Sequence, residues 1–123
     1  MTVSVIVVQS GSFGAAFDKA QKLKAAGFKE GKDKDFVAAS HPEDVEWAFA
    51  KNERQLLIIG TDHGLEEPTA RFVKQAKEKN PHLVVWFYSG MPCKYPENYD
   101  RVITGSDRPS IPELVRSYLT PSN

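Results

Sequence analysis

Residues 3–17, VSVIVVQSGSFGAAF, decide the fold. Val3 to Val8 is nearly continuous in Val and Ile, the pattern of a strand covered on both faces inside a parallel sheet. The run breaks at Gln9-Ser10-Gly11-Ser12. Phe13, Ala16, Phe17, Ala20 and Leu23 then recur at steps of three and four, giving one apolar face of a helix that extends to Ala26 and stops at Gly27. A strand, a tight turn and a helix begin a right-handed crossover. In sheets wound this way, the loop leaving the first strand at its carboxyl end is a habitual binding position.

The same alternation continues downstream. Asp35 to Ala39 reads as a second, short strand after the solvated loop Lys29 to Lys34. Ser40, with Glu43 three residues on, forms a capping-box pattern for a helix with Val45, Ala48 and Phe49 turned inward. Leu56 to Ile59 is a third strand, and Glu66, Glu67 and Pro68 suit the first turn of a helix carrying Ala70, Val73 and Ala76 as far as Asn80-Pro81. Leu83 to Tyr88 is a fourth strand. The segment SGMPCKYPENYD that follows has two prolines and no sustained helical period. Arg101 to Thr104 is a fifth strand, and Ser110 with Glu113 opens a last helix that buries Ile111, Leu114, Val115, Tyr118 and Leu119. Trp47 and Trp86 are read as packing residues.

These elements predict one α/β domain over residues 1–123: a five-stranded parallel sheet in a three-layer αβα sandwich with the flavodoxin-like strand order 2-1-3-4-5. Loops starting at Gln9, Ser40, Gly60, Ser89 and Gly105 then share the carboxyl edge of the sheet.

Charge narrows the function classes. Sixteen basic residues balance sixteen acidic ones, so no global field recruits nucleic acid or an anionic membrane. The apolar runs are strand-sized, and the single cysteine, Cys93, excludes an internal disulfide. No signal-length apolar segment opens the chain, and a cytoplasmic location is expected.

In element order and size the chain resembles a response-regulator receiver domain, the phosphorylatable module of two-component signalling. The resemblance implies two metal-holding acids after the first strand, a phosphoacceptor aspartate after the third, a hydroxyl after the fourth and a lysine before proline after the fifth. A hard cation and a transferring phosphoryl group require those carboxylates. Here Gln9 and Ser10 stand in place of the acids, Gly60 in place of the phosphoacceptor, Ser89 at the hydroxyl position and Gly105 or Ser106 where the lysine belongs, with Arg108 preceding Pro109. Asp62 lies two residues beyond Gly60. The chain therefore resembles the atypical, or pseudo-receiver, type.

That resemblance implies a non-enzymatic module without cofactor or metal, docking another signalling or regulatory protein; a homodimer is compatible with it. The surface it implicates includes Met91, Tyr95, Tyr99 and Arg116. The first alternative is a binder of a small phosphate-containing anion on Ser10, Gly11, Ser12 and Gly14, where two glycines and a helix N-terminus bring amide donors together. A second alternative is a phosphorylatable regulator using the displaced Asp62. An enzyme built on Asp62, His63 and Cys93 ranks last, because no third group orients a Cys–His pair. His41, Asp62, His63 and Cys93 carry metal-ligand atoms but match no metal-site spacing.

Overall fold

The computed structural model describes residues 3–119. Five strands, β1 Val5–Ser10, β2 Phe36–Ala39, β3 Gln55–Thr61, β4 Leu83–Ser89 and β5 Arg101–Thr104, form one parallel sheet in the order β2-β1-β3-β4-β5. The expected flavodoxin-like α/β architecture is the one adopted. Three α-helices cover the sheet: α1 Phe13–Ala25, α2 Glu66–Lys79 and α3 Ile111–Leu119.

β1 and β3 are buried at every position because each has a strand on either side and packed elements on both faces. Alternation divides the core in two. Ile6, Val8, Leu57, Ile59 and Val85 pack with Val45 and Val73 on the α2 side. Val5, Val7, Leu56 and Ile58 pack with Ala20, Leu23, Leu114 and Val115 under α1 and α3.

Several expectations need correction. β1 runs two residues later than Val3 to Val8, so Gln9 and Ser10 are strand residues paired with Gly60 and Thr61 rather than loop residues. The second crossover is not an α-helix. It is a 3-10 segment, Pro42–Ala48, preceded by His41, and Ser40 with Glu43 forms no capping box. Its two buried residues, Val45 and Ala48, are three apart, the period of a 3-10 helix, and seven residues cannot sustain the cost of α-helix nucleation. The fourth crossover has only the short turn Pro96–Asn98. Ser110 does cap α3, its Oγ accepting the Glu113 N–H at 3.3 Å.

Phe13 and Phe17 were expected to face inward, and Trp47 to pack. They are 74%, 54% and 57% exposed, respectively. The buried stripe of α1 is Ala16, Ala20 and Leu23. Its phenylalanine flank overhangs β2, the outermost strand, where no further strand or helix of the described residues arrives to cover it. Phe13 and Phe17 stack on each other with centroids 6.2 Å apart, and the Trp47 indole N–H donates to the Asp44 carbonyl at 3.0 Å.

At the opposite end of the sheet, a buried amide pair closes the core. Gln55 is fully buried; its Nε2 donates to Val3 O at 2.9 Å and Ala48 O at 2.8 Å, and its Oε1 accepts the Ala50 N–H at 2.9 Å. Asn80, equally buried, donates to Glu53 O at 2.8 Å.

Candidate functional site

Gln9 and Ser10 end β1 pointing to opposite faces. Gln9 turns toward α1, and its Oε1 accepts a hydrogen bond from Lys19 Nζ at 2.7 Å. That ammonium lies 5.9 Å from the centre of the Tyr88 ring, while the Arg108 guanidinium lies 4.9 Å from the same ring. Arg108 Nη1 donates to Gly105 O at 2.6 Å, its Nε is buried without a partner among the described residues, and the Tyr88 hydroxyl donates to Pro109 O at 2.7 Å. Arg108 thus folds back over Gly105 and brings a cation to the end of β5. Ser89 is engaged locally, its Oγ accepting the Met91 N–H at 3.1 Å.

Gly60 sits in the floor of this arrangement. A Cβ there would approach Gln9 Oε1 to 2.6 Å and would also meet the Tyr88 carbonyl oxygen. No side chain of any kind fits at the position aligned with the phosphoacceptor. Asp62 does curl back: its N–H donates to Ser10 O at 3.1 Å, and its carboxylate favours the Lys19 charge. It nevertheless remains exposed, outside the packed group.

The site is therefore cationic. Burial first, and then the neighbouring Arg108, lower the Lys19 pKa to about 8, against smaller opposing effects from Asp18 and Asp62. Between that value and the ordinary lysine range the unfolded chain holds a proton that the folded chain has released, so the Lys19 contribution to stability rises with pH across that window. Below it, both states are charged and the burial cost stands. In ¹³C NMR of the lysine side chains, Lys19 is expected to titrate near pH 8 ahead of the bulk lysines, and Arg108→Gln to move it upward. Titration together with the bulk would contradict this electrostatic reading.

The amides of Gly11 and Ser12 in the first loop are already committed to backbone carbonyls. Gly11 N–H donates to Ser40 O at 3.0 Å and Ser12 N–H to Gln9 O at 3.3 Å, while Ser12 Oγ caps α1 by accepting the Ala15 N–H at 3.2 Å. Gly14 lies exposed in the first turn of α1, and Ser10 faces the other side of the sheet. The four expected anion-binding residues do not converge.

Nor do the four expected interface residues form one patch. Met91 is exposed and Tyr95 half-buried, whereas Tyr99 packs on Phe87 with centroids 5.1 Å apart on the α2 side, where burial pushes its hydroxyl pKa up. Arg116 lies over Phe28 at 5.9 Å on the opposite, α1–α3 side. Among the described residues, no group of three or more His, Cys, Asp or Glu side chains assembles as a metal site. His63 lies 3.7 Å from Glu66, and burial raises the Cys93 thiol pKa, which leaves it a poor nucleophile.

Periodicity did not reveal the groove around β2. It has a volume of about 940 Å³ and is walled by Phe13 and Phe17 of α1 on one side and Trp47 on the other. Phe36 spends its N–H on Lys29 O at 3.2 Å and its C=O on Gly31 N–H at 2.9 Å, both in the preceding loop. Alternation along the strand aims the N–H and C=O of Ala38 the same way, into the groove. A helix face rich in phenylalanine beside a short second strand was the available signal; what failed to cover it could not be read.

The fold class is thus an α/β domain of flavodoxin-like strand order, with a cation-filled carboxyl edge. A solved structure described as the crystal structure of adenylate cyclase from Rhodopirellula baltica is similar, with a TM-score of 0.60 and 10% sequence identity, over 94% of this chain and 86% of that one. Likeness at that identity concerns the fold alone. No family model matches the chain, and no curated protein matches it.

Proposed function

We propose that this chain is a receiver-like regulatory module that works by docking another protein and does not undergo aspartyl phosphorylation. One observation carries the reading: Lys19 and Arg108 converge on Tyr88 beside Gln9, at the strand ends where phosphotransfer needs carboxylates around a divalent cation. Two positive charges repel the metal, and a neutral amide offers it one weak oxygen. The filled floor at Gly60 supports the same reading.

The groove around β2 supplies the docking face. Its aromatic walls and the open backbone of Ala38 suit an extended apolar segment of the partner, added alongside the sheet with main-chain hydrogen bonds. Exposed clusters of large aromatic side chains are a recurrent basis of protein recognition.

Two measurements test this. Magnesium with beryllofluoride is expected to leave the amide spectrum of the protein unchanged; saturable shifts at Gln9, Gly60 and Asp62 would overturn the phosphate-independent reading. A photo-crosslinking amino acid at Phe17 is expected to capture one discrete protein in the cell of origin, with capture lost on Trp47→Ser and absent when the probe is moved to Lys94. Equal capture from both positions would remove the groove from the account.

A further inference from the structure

A second cavity, of about 250 Å³, opens on the other face of the carboxyl edge, between the 3-10 segment and α2. Ser10 is part of its lining. Ser10 is 4% exposed, and its Oγ has no hydrogen-bond partner among the described residues. Strand alternation places that side chain on the face of Ile6 and Val8, the face walled by the elements that frame the cavity. A buried hydroxyl without a partner is costly, and its position at a cavity floor marks a place for a ligand atom.

The remaining groups define the chemistry. Thr69 Oγ1 donates to Thr61 Oγ1 at 3.2 Å, which donates in turn to Asp62 O at 3.2 Å. Both protons are thus committed, and Thr69 presents lone pairs. Leu65 and Phe72 form apolar walls, and Glu43 and Glu46 stand at the mouth beside His41, with no lysine or arginine in the lining. The nearby start of α2 does not offset these acids. The Glu66 carboxylate accepts the Gly64 N–H at 2.7 Å, and backbone hydrogen bonds from Glu66 itself and Gly64 hold its pKa below the usual range. Free lone pairs on Thr69 and the unpartnered Ser10 hydroxyl at the floor, apolar walls and a carboxylate mouth match a donor-rich cation with a short apolar body. The volume lies below the roughly 300–1,000 Å³ of sites for drug-sized molecules, so that body is small.

We infer that this cavity binds a small organic ammonium ion, with Ser10 and Thr69 accepting its N–H groups and Glu43 and Glu46 balancing its charge. The site is separate from the Lys19 cluster and from the β2 groove, so it stands or falls independently of the docking function.

The test is an amide NMR titration of the full chain with three probes that share one phenylethyl body and differ in the polar head: 2-phenylethylammonium, 2-phenylethanol and 3-phenylpropionate. The ammonium is expected to produce saturable shifts at Ser10, Gly11 and Thr69, with at least tenfold tighter binding than the alcohol and none for the carboxylate. Ser10→Ala is expected to weaken it several-fold. The exposed double variant Glu43→Gln, Glu46→Gln, which leaves the core untouched, is expected to erase the preference for the ammonium over the alcohol. The inference is overturned if no probe shifts these residues, if the alcohol or carboxylate binds as well as the amine, or if the shifts gather at Phe13 and Trp47 instead.

Discussion

Gln55→Leu is expected to destabilise the protein by about 3–5 kcal/mol, through groups left behind rather than through lost packing. The side chain satisfies Val3 O, Ala48 O and Ala50 N–H at 2.8–2.9 Å in a place with no solvent. Leucine fills a similar volume but strands all three, and each buried unpaired group costs about 1–3 kcal/mol. Against a typical domain stability of about 5–15 kcal/mol, the variant would stand near the edge of folding. Urea denaturation measures it directly: a fall in midpoint at unchanged slope is the expected result, and a loss below about 1 kcal/mol would show that water or backbone rearrangement replaces the amide. Gln55→Glu is expected to fare no better, because it buries a charge beside two carbonyl oxygens.

Gly60 is the second sensitive position. Placing an aspartate there is the obvious attempt to restore a phosphoacceptor, and it is expected to fail on steric grounds. Even the methyl group of Gly60→Ala meets Gln9 Oε1 at 2.6 Å and the backbone of the neighbouring strand at Tyr88. Strand backbone yields little, so Gly60→Ala is expected to cost about 1–3 kcal/mol and Gly60→Asp more. After acetyl phosphate treatment, the intact mass of Gly60→Asp is expected to remain unchanged. The internal comparison is Gly14→Ala, where a Cβ meets nothing within 4 Å in a helical position and a gain of about 0.5–1 kcal/mol is expected. A phosphorylated, stably folded Gly60→Asp protein would return the chain to the switching class.

How far the sequence reaches depends on what each signal measures. The apolar runs at Val5–Val8 and Leu56–Ile59 identified the two central strands because burial on both faces leaves no polar positions. The order of the five strands followed from alternation and crossover handedness. Periodicity reports that a helix face is apolar, yet it says nothing about what lies opposite. Phe13 and Phe17 were therefore assigned to the core, whereas their flank of α1 overhangs β2 at the edge of the sheet and stays outside it.

The candidate site was legible as a set of absences and illegible as an arrangement. Gln9, Gly60 and Gly105 showed which carboxylates and which lysine were missing. Lys19 belongs to no motif in the sequence, and its reach from α1 to Gln9 depends on the helix packing angle. Arg108 was conspicuous before Pro109, but its return over Gly105 is set by the positive φ of that glycine, 98°. Ser10 was placed beside Gln9 in a loop; extending β1 by two residues sent the two side chains to opposite faces and separated two sites that the sequence had merged.

The Tyr88 ring has a consequence for dynamics. It touches Lys19 of α1 and Arg108 ahead of α3, and its hydroxyl is tied to Pro109 at 2.7 Å. One side chain thereby pins both helices of that face to β4. Slow exchange of amide protons in α1 and α3 should then be broken in a single concerted event, with the two helices sharing one opening free energy.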